Sequence, residues 1–239
     1  MNKTIDIIIP VFSEGENILS TLNSIFKNVK NNFNIIICYD FDNDNTLSAI
    51  NNSKFKDLKN IIFVKNQSKG PHSAVMTGIK NSSSDLVLVM PADDDYNSKL
   101  IDKMIDLSNR EELDIVCPSR FIDGISLEGA SLVKKILVIT ANFCLKKFAR
   151  LPVHDATNGF RLFSKKIINN INIESSFGFT YSIEYLVKAH RYGYKIGEIP
   201  AIWKERKFGK SRFKITRWII PYMRWFLYAF YTSIKKTND

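Results

Sequence analysis

The sequence predicts an α/β fold: a mostly parallel central sheet with helices on both faces. Three observations lead there. Short β-branched runs alternate with segments of helical period across residues 5–117. The runs are largely apolar, as strands covered on both faces are, and do not alternate regularly with polar residues. The chain has 239 residues, 45% of them hydrophobic, enough for one large core.

Ile5–Pro10 (IDIIIP) is the first such run. Ser13 and Glu16 then form the S-x-x-E spacing of a capping box, expected to open a helix. That helix carries Ile18, Leu19, Leu22, Ile25, Phe26 and Val29 on one face. Residues 35–39 make a second strand, followed by the acidic turn 40–46 and a short polar helix about residues 47–52. Residues 61–64 are a third strand, and the loop 66–71 leads to a helix holding Ala74, Val75, Gly78 and Ile79. Residues 86–90 are a fourth strand, with Asp93, Asp94 and Asp95 next in the chain. Leu100, Ile101, Met104, Ile105 and Leu107 mark another amphipathic helix, and 115–117 a fifth strand.

The later chain differs. Residues 131–150 read as a helix, with Lys134, Lys135, Lys146 and Lys147 flanking an apolar stretch. Residues 151–165 read as a polar loop, 180–192 as a helix and 195–199 as a late strand. The last stretch mixes Arg217, Arg224, Lys235 and Lys236 with Trp218, Tyr222, Trp225, Phe226, Tyr228, Phe230 and Tyr231, and is expected to form a C-terminal amphipathic helix.

Composition narrows the classes. The hydrophobic fraction and 12% aromatics exclude a disordered chain. Three scattered Cys exclude a disulfide scaffold and a four-cysteine zinc site. No apolar run reaches the roughly 20 residues of a membrane span. The N-terminus enters an apolar strand without a basic leader, which reads as the start of the fold and not as a signal peptide. The expected compartment is the reducing cytosol. Residues 1–130 hold 13 basic and 18 acidic residues, a net of −5, whereas 131–239 hold 21 and 6, a net of +15. Acidic residues can hold a metal; a basic, aromatic surface can hold phosphate, nucleic acid or anionic lipid.

Ligands of open parallel sheets bind beyond the carboxyl ends of the strands. There lie Pro10 to Glu14, Asp40, and the cluster Asp93 to Asp95. Crowded carboxylates raise one another's pKa, and a hard divalent cation relieves this. The other reading of the cluster is an exposed acidic loop, or the first turn of a helix near Ser98, favoured by the helix dipole. No G-x-G-x-x-G, P-loop or G-x-S-x-G occurs, and His72, His154 and His190 lack metal-ligand spacing.

These residues together resemble family 2 glycosyltransferases of the GT-A fold. The opening IIIPVFSEGENI, the turn ending in Asp44-Asn45-Thr46, the loop Asn66 to Gly70 and the segment MPADDDYN match in order. Ser119-Arg120-Phe121, HDATNGFRLF, GFTYSIE and ERKFGKSRF resemble the polyprenyl-phosphate sugar transferases, the dolichol-phosphate mannosyltransferase branch. The resemblance implies a transferase domain over residues 1–214, with a nucleotide-binding half (1–118) and an acceptor half (119–214), and a basic aromatic helix over 215–239. It implies inverting transfer of a sugar from a GDP- or UDP-linked donor to a lipid phosphate, assisted by Mg²⁺ or Mn²⁺. By motif, Pro10, Phe12, Glu14, Asp40, Lys69 and Ala92 would line the donor site. Asp93 and Asp95 would hold the metal. Arg120, Lys134 and Lys135 would meet the acceptor phosphate. Arg206 and Arg212 would close over the donor phosphates, and Asp93, Arg120 and Arg206 would carry catalysis.

Three positions depart from the pattern. Pro91 replaces the first acid of D-x-D, a loss for which Asp94 and Asp95 are the candidate replacements; Tyr39 replaces an aspartate and Asn45 a glycine. They leave metal affinity and base selectivity open, along with a catalytically lapsed homologue. A sugar-hydroxyl acceptor in polysaccharide synthesis is the other alternative; it calls for a carboxylate base, and Asp155 and Glu184 are the candidates. Glu184 is expected to be structural, and Gly159 to serve a tight turn. The basic aromatic segments suit the cytoplasmic face of a membrane, with an oligomer interface or core helices as the other reading. Apolar residues interleaved with the basic ones fit lipid better than nucleic acid.

Overall fold

The computed structural model describes residues 4–204 and 215–235. Its elements are β1 (Ile5–Pro10), α1 (Asn17–Asn28), β2 (Phe33–Tyr39), α2 (Asn45–Asn51), β3 (Ile61–Lys65), α3 (Pro71–Asn81), β4 (Leu86–Val89), α4 (Ile101–Glu111) and β5 (Ile115–Ser119). There follow α5 (Leu132–Lys147), β6 (Arg161–Ser164), α6 (Lys165–Asn170), α7 (Thr180–Arg191), β7 (Ile196–Pro200) and α8 (Ile215–Lys235). The seven strands form one sheet in the order β3-β2-β1-β4-β6-β5-β7. All neighbours pair in parallel except at β6, which runs antiparallel to β4 and to β5.

The largely apolar runs are explained by two cores, one on each face. Ile8, Ile36, Cys38, Val87, Val89 and Phe163 face α3, α6, α7 and α8. Ile7, Ile9, Ile35, Ile37, Leu88 and Leu162 face α1, α2 and α4. α3 packs closely on the sheet. A Cβ at Gly78 would lie 2.5 Å from Ile8 Cγ2 and 2.9 Å from Cys38 Sγ. Gly78→Ala is expected to destabilise by about 1–3 kcal/mol through overpacking. A lower denaturant midpoint with an unchanged slope is the readout, and an unmoved midpoint would refute it.

Several expectations are corrected. The Ser13–Glu16 capping box does not form: Ser13 has φ 52°, and α1 starts at Asn17 with no side-chain cap. The helix after the acidic turn starts earlier than expected, capped by Asp44. A short 3₁₀ turn, Ser98–Leu100, precedes α4. β6 and α6 occupy what reads as the end of a polar loop and the chain after it. Ser131 does cap α5, its hydroxyl accepting the Lys134 N–H at 3.4 Å.

α8 buries Trp225, Ala229 and Ser233 along one stripe and exposes Ile220, Met223, Leu227, Tyr231 and Ile234 along the other. α5 exposes Leu132, Val133, Ile136, Leu137 and Phe143. Among the described residues, no helix is long and apolar enough to cross a membrane.

Candidate active site

The carboxyl ends of the six parallel strands and the amino end of β6 share one edge of the sheet. The loop after β1 needs positive φ at Ser13 and Gly15, and the start of α2 holds it there. The Ser13 N–H donates to Asp44 Oδ2 at 2.9 Å, the Glu14 N–H to Thr46 Oγ1 at 2.9 Å and the Gly15 N–H to Asn45 Oδ1 at 3.0 Å. Asp44 also accepts the Thr46 N–H at 2.9 Å. The departure at Asn45 therefore has a local reason: its amide oxygen, which a glycine lacks, holds Gly15.

Phe12 projects from this loop, 46% exposed, with its edge toward Phe41 at a centroid distance of 5.4 Å. Pro10 and Glu14 are half-buried beside it. Asp40 accepts from Asn66 Nδ2 at 2.8 Å and from the Gly70 N–H at 2.9 Å. Asn66 is itself held by Ser73 at 2.7 Å and Thr77 at 3.0 Å, both on α3. Asp40 is thus tied to the start of α3, with Lys69 exposed alongside. Lys65 pairs with Asp42 at 2.5 Å. An exposed aromatic ring beside a fixed carboxylate can stack a nucleobase and accept its N–H groups.

The acidic cluster divides. Asp93 and Asp95 are exposed and Asp94 is buried. α1 holds the segment from behind: Thr21 Oγ1 donates to the buried Ala92 carbonyl at 2.7 Å, and Ser24 Oγ to the Asp95 carbonyl. Asp94 turns inward and accepts the Asn97 N–H at 3.0 Å and Asn97 Nδ2 at 2.8 Å. Burial pushes its carboxyl up to about 6; the Asn97 bonds oppose this, and the nearby charges of Asp93 and Asp95 add to it. Asp94 is therefore unsuited to replace the acid missing at Pro91. Among the described residues, no three His, Cys, Asp or Glu side chains gather as a metal site. Asp93 and Asp95 nonetheless fit a hard divalent cation, since Mg²⁺ is commonly held by one or two carboxylates together with substrate phosphates and water.

The segment after β7 closes on the acidic one. Asn97 Nδ2 donates to the Ile202 carbonyl at 2.8 Å, and Tyr96 Oη accepts the Lys204 N–H at 3.0 Å. Residues 205–214, with Arg206 and Arg212, lie outside the described residues.

Arg120, at the end of β5, is buried. Nε donates to Asp155 Oδ2 at 2.5 Å, and Nη2 to Asp155 Oδ1 at 2.7 Å and Thr157 Oγ1 at 2.8 Å. Asp155 is fully buried. Burial pushes its carboxyl up, but the charge and hydrogen bonds of Arg120, with help from Arg161, outweigh this and hold it below the usual range. Arg120 is therefore held in place by its partners; among the described residues, no hydrogen bond engages its Nη1. Lys134 Nζ lies over the Trp203 ring at 4.1 Å, and Lys135 is half-buried on the same helical turn.

Glu184, Arg161 and Gly159 lie within the fold. Glu184 is fully buried, accepting the N–H groups of Glu174 at 2.7 Å and Ser175 at 2.8 Å, and pairing with Lys188 at 2.7 Å. Arg161 is buried and donates to the carbonyls of Ser182, Asp155 and Ala156. Gly159 is not among the positive-φ glycines, and a Cβ there would meet Phe179 at an ordinary 3.6 Å, so its turn does not require glycine. Sequence reasoning missed Asn97, Thr157 and Asn142. The one available signal was Asn142 interrupting an apolar helix in phase with Leu145.

Three comparisons with known proteins bear on this geometry. The family model "Glycosyl transferase family 2" matches residues 6–171. A dolichol-phosphate mannosyltransferase of Pyrococcus furiosus is 27% identical over 92% of this chain, which spans 62% of that protein's length. A polyprenol monophosphomannose synthase of Mycolicibacterium smegmatis is 22% identical over 89% of this chain and 85% of its own. Glucosyl-3-phosphoglycerate synthase from Mycobacterium tuberculosis, crystallised with Mn²⁺, UDP and glucosyl-3-phosphoglycerate, superposes with a TM-score of 0.72. That match covers 95% of this chain and 80% of the other at 15% identity, a likeness of fold, and the fold is GT-A.

Proposed function

The chain belongs to glycosyl transferase family 2, and from that premise we propose that it moves a sugar, with inversion, from a GDP- or UDP-linked donor to a polyprenyl phosphate at the cytoplasmic face of a membrane. That it is a glycosyltransferase follows from the family. The acceptor is the inferred part, and one observation carries it. Asp155 and Glu184, the carboxylates a hydroxyl acceptor could have used as a base, are both fully buried and held by cations. A phosphate acceptor needs no such base, because its second pKa of about 6 leaves it mostly dianionic at pH 7. It needs a cation, and Arg120 offers Nη1.

In this reading Phe12 stacks the base and Asp40 accepts its N–H groups. Asp93 and Asp95 would hold Mg²⁺ or Mn²⁺, which when bound supplies positive charge to the nucleoside diphosphate leaving group. Arg120 orients the acceptor oxygen for in-line attack at the anomeric carbon. Lys134, Lys135 and the exposed apolar faces of α5 and α8 support a membrane-surface site, since such faces flanked by cations lie in lipid interfaces.

The test is transfer of radiolabelled sugar from a panel of GDP- and UDP-sugars to undecaprenyl phosphate in vesicles. Label entering the organic phase with Mg²⁺ or Mn²⁺ is expected, and the productive donor identifies the sugar. Binding of GDP or UDP without transfer to lipid would overturn the phosphate acceptor in favour of a hydroxyl.

A further inference from the structure

α5 is a 16-residue helix that buries only Asn142 and Leu145. One of the two is polar. Asn142 Oδ1 accepts the Ala156 N–H at 2.7 Å. Its Nδ2 donates to the Val138 carbonyl at 3.0 Å and to Thr157 Oγ1 at 3.0 Å. Thr157 Oγ1 also accepts from Arg120 Nη2 at 2.8 Å and donates to Asp155 Oδ1 at 3.2 Å.

A hydroxyl has one proton and two lone pairs, so the Thr157 hydroxyl is fully used. Its proton goes to Asp155 because Asn142 and Arg120 fill both lone pairs. Removing Asn142 frees that hydroxyl to rotate and loosens the loop carrying Asp155. The guanidinium of Arg120 is oriented by those same two residues. The chain of bonds thus runs from a helix with an exposed apolar face to the arginine at the strand ends.

We propose that Asn142 is a positioning residue for acceptor transfer: it sets α5 against residues 155–157 and, through Thr157 and Asp155, fixes the direction in which Arg120 presents Nη1. This rests on the reading of Arg120 as the acceptor-phosphate group. Asn142 touches neither substrate, and its effect should fall on the acceptor half of the reaction alone.

The test compares wild type, Asn142→Ala, Thr157→Val and the double variant. Polyprenyl phosphate is varied at saturating donor, and UDP and GDP are titrated separately. Asn142→Ala is expected to lower kcat/KM for the lipid by about tenfold to a hundredfold, the effect of misplacing a reacting group. Nucleotide Kd should stay unchanged, and Thr157→Val should absorb the effect, so that the double variant is no worse than the worse single one. Should Asn142→Ala fold poorly, Asn142→Asp keeps the volume and the acceptor for Ala156 while losing the donor to Thr157, and the same lipid-only loss is expected. Loss of lipid kcat/KM and nucleotide affinity in equal proportion, or additive effects in the cycle, would overturn the proposal.

Hydrogen exchange separates this failure from that of the proposed function. If wild type transfers nothing to polyprenyl phosphate, the acceptor reading falls. Faster exchange of the Arg120 and Ala156 amides in Asn142→Ala, with α1 and β1 unchanged, would still support the coupling, and unchanged exchange would overturn it.

Discussion

Asp155→Ala is expected to destabilise the protein by about 3–5 kcal/mol, because it leaves the buried Arg120 cation without its counter-charge. The loss should appear as a large fall in the denaturant midpoint. The pair also makes stability depend on pH. The Asp155 carboxyl titrates below its ordinary value in the folded state. Its contribution is therefore complete above the unfolded pKa of about 3.9 and disappears as pH falls through the folded value. Asp155→Asn should lower stability at pH 7 and flatten the acid limb below about pH 4. An Asp155→Asn protein as stable as wild type at pH 7 would mean that Arg120 finds another partner.

Asp93→Ala should do the reverse, removing activity and sparing the fold. Asp93 is exposed at the edge where the donor diphosphate is proposed to lie. A substitution at such an exposed site is expected to change stability by at most about 1 kcal/mol, the range of an exposed ion pair. Loss of several kcal/mol of leaving-group stabilisation would cut transfer by at least about a hundredfold. Asp94→Ala should show the opposite pattern, since Asp94 is bonded inward to Asn97. Transfer in Asp93→Ala within about threefold of wild type, a difference below about 1 kcal/mol, would move the metal and diphosphate role elsewhere.

The strands were legible because their environment is written locally. A strand covered on both faces is apolar at nearly every position, so β4 and the centres of β1 and β2 stand out as Ile, Val and Leu runs, with Asp6 a buried exception bonded to Asn34, Ser82 and Ser84. The carboxyl-end position of the acidic residues followed from the parallel order. β6 was hidden because it is four residues long, opens with a buried arginine and pairs antiparallel between β4 and β5. Nothing near it in the chain signals that pairing. The capping box failed for a related reason. Asp44, 31 residues along the chain, takes the Ser13 N–H and holds the first loop in a conformation a helix start does not use.

The same division runs through the site. Residue types and their spacing were enough to assign the α/β class, the edge where ligands bind and the family, because each depends on short-range pattern or on motifs in order. Which carboxylates and cations are available for chemistry was decided by contacts distant in sequence. Asn97 and its tie to Ile202 turn Asp94 inward and leave Asp93 and Asp95 outside. Among the described residues, Asp155, 35 residues from Arg120, and Thr157 engage the Nε and Nη2 of its guanidinium. A charge left unpaired in a core costs several kcal/mol, so burial forces each to find its partner, and only the folded chain determines which partner is within reach.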